Sequence, residues 1–392
     1  MKIYEIGTGY TPIPAQMGAA TEIVVEELTR SMIKNGEDVE IIDIKAKERA
    51  AIELPITEVK VPSFFAKKDV SLGIVHKLKR VVYSISLAKK IKRILKSSNE
   101  KVTLHFHNQY NLFFSLKLLP KKYREKARFV YTVHSYVWHG KWEDIKDTVK
   151  KKYFQEIFCI ENADAVFVLN ELTKANILEN LTVDEKKVVL IDNGVNTDVY
   201  NILTETLKDE AKAEYGLQSK KVFVQVGSVC DRKNQLGALK LLCPIMIENK
   251  DVAFCYAGGI ISAEYQDSIL NFAKENGIEN QVKYIGEIQP GAELNKVYNM
   301  AEAMIFPSKA EGFSLVILEA MSAGVPVVIN NNLEFKLSEK CLKFDNDGDF
   351  VEIINSLMRS NENREGNQAQ LRQAIIEQYS WDRISQKYCT EF

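Results

Sequence analysis

The sequence predicts an α/β chain of two doubly wound, Rossmann-like domains, and three observations carry that prediction. Short β-branched runs alternate with stretches of helical period. The alternation runs through twice, with the polar stretch Leu203–Lys220 between the two passes. The length of 392 residues matches two or three domains at about 150 residues each. In the first pass Ile3–Ile6 reads as a strand. Helix Thr21–Asn35 follows, with Ile23, Val24, Leu28, Met32 and Ile33 at helical spacing and Gly36 as its stop. Val39–Ile44, Val102–Phe106, Phe129–Val133 and Ala165–Leu169 are the next strands. The second pass gives strand Val222–Val226, helix Gln235–Asn249, strand Val252–Ala257, helix Ala263–Glu275, then strands Val282–Ile285, Ala303–Phe306 and Val325–Ile329. Each connection is long enough for a crossover, so the sheets should be parallel and covered on both faces. Ligands of such sheets bind beyond the carboxyl ends of the strands, which places a cleft between the domains.

Composition narrows the function. Lys plus Arg (52) nearly equals Asp plus Glu (53), a net charge of −1 that argues against a surface built for nucleic acid. The longest apolar runs are strand-sized, too short to span a membrane. Met1-Lys2 leads straight into a strand carrying Glu5, where a signal peptide would be apolar. Six cysteines lie scattered with no CxxC pair, which reads as reduced core thiols and a cytoplasmic protein.

The strongest chemical signal is the block Glu311-Gly312-Phe313-Ser314-Leu315-Val316-Ile317-Leu318-Glu319-Ala320-Met321, after strand Ala303–Phe306 and Pro307-Ser308. A helix beginning near Ser314 leaves Glu311 on the strand-to-helix loop and Glu319 inside the helix. The N–H groups of Gly312 to Leu315 then form an anion pocket at its N-terminus, and Gly312 permits close backbone approach to a ligand.

This block, with Gly324-Val325-Pro326 after it, resembles the signature of glycosyltransferase family 4, retaining enzymes of the GT-B fold that use nucleotide-sugar donors. Asp192-Asn193-Gly194-Val195-Asn196 resembles the family's link out of its N-terminal domain, and Tyr131-Thr132-Val133-His134 its strand-end histidine. His105 and His107 fall where the family has a similar pair, and Tyr379-Ser380-Trp381 resembles its closing helix. The resemblance implies an N-terminal acceptor domain at 1–202, completed by 377–392, and a donor domain at 203–376. It also implies a hexosyl or N-acetylhexosaminyl transferase of the kind that serves polysaccharide biosynthesis, with a UDP-sugar donor and a glycan, lipid-linked or small-molecule acceptor. By resemblance Glu319 holds the donor ribose, Glu311 faces the transferred sugar, and Gly312, Phe313, Ser314 and Leu315 cradle donor oxygens. Lys233 matches the family's diphosphate-binding lysine, and His134 is the catalytic candidate of the N-terminal domain. No metal or other cofactor is expected.

Two departures stand out. Ser228 occupies the family's arginine position, which leaves Arg232, beside Lys233, either to compensate or to face solvent. The N-terminal glycine loop keeps only Gly18 of the usual pair, still a donor or acceptor contact. They motivate a second reading, a nucleotide-sugar binding or partner subunit with weak catalysis. A GT-B-shaped phosphorylase or epimerase is a third. His105 and His107 share a strand face, but the sequence supplies no obvious third ligand for a metal. Asp345-Asn346-Asp347-Gly348-Asp349 lacks the spacing of a calcium loop and reads as a cap for helix Phe350–Arg359. Between Lys67 and Lys101 eleven Lys or Arg accompany two apolar stripes, from Ile74 to Ile85 and from Leu87 to Leu95. Their phase difference predicts two helices broken near Ser84–Ser86. Their basic face reads as a solvated surface or as a peripheral contact with anionic lipid at the inner face of the membrane.

Overall fold

The computed structural model describes all residues except 15–18, 47–48, 63–73, 139, 334–335 and 360–363. Gly18 and the basic pair Lys67 and Lys68 therefore lie outside the described residues. Two compact units emerge: Met1–Gly194 with Trp381–Phe392, and Val195–Ser380. Residues 195–202 and 377–380, given to the N-terminal domain from sequence, belong to the second unit. The reason is local bonding. Val195 N–H donates to Tyr379 C=O at 2.8 Å, Leu203 N–H to Asn299 Oδ1 at 2.9 Å, and Arg372 to Tyr200 C=O at 2.7 Å.

The first unit contains, among the described residues, a parallel sheet of seven strands: β1 Ile3–Ile6, β2 Val39–Ile44, β3 Ile56–Val59, β4 Val102–Phe106, β5 Ala127–Val133, β6 Ala165–Val168 and β7 Val188–Leu190. Their order is β3-β2-β1-β4-β5-β6-β7. The second unit holds β8 Lys221–Val226, β9 Val252–Ala257, β10 Val282–Tyr284, β11 Ala303–Phe306, β12 Val327–Asn330 and β13 Leu342–Phe344, in the order β10-β9-β8-β11-β12-β13. In both sheets the order reverses beside the first strand, between β1 and β4 and between β8 and β11. Such switch points open a crevice at the strand carboxyl ends.

Alternation along the strands feeds a core on each face of the second sheet. Val222, Val224, Val226, Met304 and Phe306 enter one core, whereas Phe223, Ala303 and Ile305 enter the other. In the first sheet Val102, Leu104 and Phe106 take one face. The opposite face of β4 presents Thr103 and His105, both fully buried. Helix Trp381–Glu391 covers His105, with the Tyr388 ring at 5.6 Å and Phe392, just past the helix, at 5.1 Å.

One element corrects the sequence reading. Ile74–Ser97 is a single helix without a break at Ser84–Ser86. Its buried stripe is Tyr83, Leu87, Ile91 and Leu95, four residues apart, with Lys79 buried one turn earlier, while Leu78 is 50% exposed. Ser84 fits inside the helix because its hydroxyl lies 2.8 Å from Arg80 C=O and 2.8 Å from Asn111 Oδ1. Lys89, Lys92, Arg93 and Lys96 are exposed. Asp345–Asp349 is a cap, starting helix Asp347–Arg359 three residues earlier than the sequence indicated: Asp349 N–H donates to Asn346 Oδ1 at 3.0 Å, and Asp345 N–H to Asp349 Oδ2 at 3.1 Å.

Candidate functional site

In the second unit the switch point brings together the loops after β8 and β11. Gly227 leaves β8 with φ +147°, and a Cβ there would press on Lys233 Cε at 3.3 Å. The neighbouring Gly258 could not carry a Cβ either, since Gly227 C=O would lie 2.2 Å from it. Asn234, left-handed at φ 59°, ends the first loop and donates from Nδ2 to Pro307 C=O at 3.1 Å. Lys309 N–H donates to Arg232 C=O at 2.9 Å, so the two loops are joined along their backbones.

Glu311 is the centre of this junction. Its Oε1 receives Arg232 Nη1 at 2.9 Å, Lys233 Nζ at 2.8 Å and Ser308 Oγ at 2.5 Å. Arg232, which sequence left between site and solvent, thus turns into the site. It is anchored again on Ala310 C=O at 2.9 Å. Burial pulls the Lys233 ammonium below the usual lysine range, and the Glu311 charge opposes that pull. Ser308 was not singled out in the sequence, although its place two residues past a strand end is where such a group belongs.

The helix after Glu311 is Leu315–Ser322, with Ser314 as its N-cap residue. The Ser314 side chain makes no cap hydrogen bond, and its buried hydroxyl has no partner among the described residues. The first-turn N–H groups project from this helix end, with Gly312, Phe313 and Leu315 half-buried around them. Glu319 lies deeper in the helix, 6% exposed, and its Oε2 accepts the Tyr298 hydroxyl at 2.7 Å. Burial raises the Glu319 carboxyl to about 7, against the hydrogen bonds of Tyr298 and Tyr200. The tyrosines were not foreseen, because they come from elsewhere in the chain.

In the first unit β1, β4 and β5, with the residues just past the ends of β4 and β5, carry a chain of polar groups that starts fully buried. Parallel pairing sets Glu5 opposite His105. Glu5 Oε1 meets His105 Nδ1 at 2.9 Å and Oε2 meets His107 Nε2 at 2.7 Å. His107 Nδ1 meets His134 Nε2 at 2.9 Å, and His105 Nε2 meets Thr132 Oγ1 at 2.7 Å. Burial alone would raise the Glu5 carboxyl, but the His105 charge and the hydrogen bonds of both rings hold it at about 2. Burial lowers His107 to about 4, and burial with the neighbouring rings puts His134 well below the ordinary histidine value.

Glu5 is the third group that the sequence did not supply for a metal. Ligand atoms of Glu5, His105 and His107 all lie within 4.8 Å of one another. Each ring nitrogen of the pair already has a hydrogen-bond partner, the pattern of a relay.

Two family models match the chain: Glycosyltransferase Family 4 over residues 21–199 and Glycosyl transferases group 1 over residues 208–374. A D-inositol 3-phosphate glycosyltransferase of Corynebacterium aurimucosum is 26% identical over 196 residues, covering 48% of this chain and 46% of the relative. The matched stretch thus spans about half the length of that curated relative. Among solved structures, the catalytic domain of starch synthase IV from Arabidopsis thaliana, bound to ADP and acarbose, superposes with TM-score 0.75 at 14% identity, covering 99% of this chain and 98% of that one. Anabaena Alr3699/HepE in complex with UDP and glucose gives TM-score 0.71 at 14% identity, over 100% and 99%. At such identities the likeness is one of fold. Two Rossmann-like units and two consecutive family matches covering most of the sequence lead to one conclusion: this chain belongs to the glycosyltransferases of the family 4 type.

Proposed function

We propose that this protein transfers a sugar from a nucleotide diphosphate, a UDP-sugar, to a hydroxyl of a glycan, lipid-linked or small-molecule acceptor, with retention at the anomeric carbon. The observation that carries the reading is the pair of cations held on one carboxylate beside a helix N-terminus: Arg232 at 2.9 Å and Lys233 at 2.8 Å from Glu311 Oε1, next to the Ser314 hydroxyl, which has no partner among the described residues. As the sugar–phosphate bond breaks, negative charge collects on the leaving diphosphate and the sugar gains oxocarbenium character. Arg232, Lys233 and the N–H groups of the Gly312–Leu315 turn are preorganised donors for that charge. Electrostatic activation of this kind is the proposed substitute for a metal ion.

Glu311 is assigned to the transferred sugar and Glu319 to the donor ribose, both on family resemblance. Glu319 keeps acceptor capacity for this, since each carboxylate oxygen has two lone pairs. UDP as the nucleotide is supported by the Anabaena complex. No helix among the described residues is long and apolar enough to cross a membrane. A cytoplasmic enzyme, with the exposed Lys89, Lys92 and Lys96 face offered to anionic lipid, is part of the proposal. The test is a panel of nucleotide sugars read first by thermal shift and then by nucleoside diphosphate release, with and without EDTA. A donor that stabilises the protein and turns over in EDTA is expected. Absence of binding across the panel would overturn the reading, and loss of turnover in EDTA would overturn its metal-free part.

A further inference from the structure

We infer that Glu5, acting through His107, fixes His134 in the tautomer protonated on Nε2, so that His134 presents Nδ1 as a hydrogen-bond acceptor to a substrate hydroxyl. Each contact along the buried chain needs one hydrogen, and Glu5 sets where they sit. An ionised carboxylate can only accept, so both nitrogens facing Glu5 carry hydrogen: His105 Nδ1 at 2.9 Å and His107 Nε2 at 2.7 Å. A neutral His107 protonated on Nε2 has a lone pair on Nδ1. The 2.9 Å contact with His134 Nε2 then needs its hydrogen from His134. A neutral His134 that donates from Nε2 has its lone pair on Nδ1, and no group among the described residues bonds that atom. Glu5 and His105 are fully buried and His107 nearly so, whereas His134 keeps partial exposure, so the chain runs from the sheet interior to a partly exposed imidazole.

The low values of His107 and His134 agree with two neutral rings at physiological pH. Thr132, whose hydroxyl meets His105 Nε2 at 2.7 Å, completes the set from β5. Glu5 and His107 are thus positioning residues, and the order of donors from Glu5 outward decides which end of the imidazole meets a ligand. The tautomer follows from these contacts with Glu5 ionised and both rings neutral. Its meaning for catalysis, an acceptor for a sugar or acceptor hydroxyl, rests on the proposed transfer activity.

Nitrogen-15 NMR of histidine-labelled protein tests the assignment, because the chain has only 5 histidines. The expected spectrum shows protonated Nε2 on His107 and His134, with a scalar coupling across the hydrogen bond from His134 Nε2 to His107 Nδ1. A proton on His107 Nδ1 would overturn the inference while leaving the transfer reading untouched. Failure of every nucleotide sugar to bind would do the reverse. In Glu5→Gln the single carbonyl oxygen accepts from one ring and the amide donates to the other. One of the two nitrogens facing residue 5 must then lose its proton. Both remaining protonated in a folded variant would refute the carboxylate as the double acceptor.

Discussion

Glu311→Gln is the most informative single change at the donor-side site. In the free protein one oxygen of this carboxylate pairs with both Arg232 and Lys233, and the Lys233 side chain is only 12% exposed. Removing one partner of a buried ion pair costs about 3–5 kcal/mol. The glutamine carbonyl still accepts one hydrogen bond, and the Arg232 side chain, 32% exposed, can return part of its charge to water. The loss should therefore fall near the lower end, about 3 kcal/mol. For a unit of this size about 1 kcal/mol moves Tm by roughly 2–4 °C, so the melting of the second unit should drop by roughly 6–12 °C. Differential scanning calorimetry measures this. Added UDP brings phosphate charge to the same two cations without competition from Glu311. The UDP-induced rise in Tm should consequently be larger in the variant than in the wild type, while turnover falls. A variant melting within about 2 °C of wild type, or gaining less from UDP, would refute the view that Glu311 holds the cations in readiness for a diphosphate.

Three further outcomes are expected. Lys233→Ala should reduce single-turnover rate by about a hundredfold or more and Arg232→Ala by less, since Lys233 is the more buried cation; equal or reversed losses would move the main phosphate contact to Arg232. The Glu319 carboxyl lies at about 7 instead of 4.5, so the fold prefers its protonated form; the associated stability, about 3 kcal/mol, is fully present below about pH 4.5 and lost as pH rises through about 7. Glu319→Gln should flatten that slope in pH-dependent melting of the second unit only, because Glu156, also raised to about 7 by burial, belongs to the first; an unchanged slope would contradict the assignment. Reversing Lys89, Lys92 and Lys96 to Glu should remove co-sedimentation with anionic vesicles at low salt, at about 1 kcal/mol per charge, and an absence of wild-type binding would leave the basic face as a solvated surface.

The strands that bury both faces were legible because β-branched and apolar residues fill every position, as in Val252–Ala257. The edge strands β3, β7 and β13 were missed: at three or four residues each, with polar members in β3 and exposed ones in β13, they are too short to leave a periodicity to read. The long helix was misread for a different reason. Leu78 looked like a core residue and Lys79 did not, yet the lysine stem is buried and the leucine is exposed. At the site, the Glu311–Glu319 spacing placed one carboxylate on the loop and the other in the helix without help. Arg232 could not be decided from sequence, because its direction depends on Ala310 and Glu311, nearly eighty positions away. Glu5 was visible as an acid inside an apolar strand. Only the register that sets it against His105 turns that oddity into a relay.

Trp381–Phe392 completes the first unit from the far side of the second in sequence, so the first unit is synthesised in two instalments. All of Val195–Ser380 is made before the residues that complete the first unit. When Ser380 has been added, the face of β4 that carries His105 still lacks Tyr388 and Phe392. Until those rings arrive, Glu5 and its histidines are open to water on that side. The histidine network thus depends on residues added after the whole second unit, and a chain cut short at 380 would carry the donor-side residues Arg232, Lys233, Glu311 and Glu319 with that network unfinished.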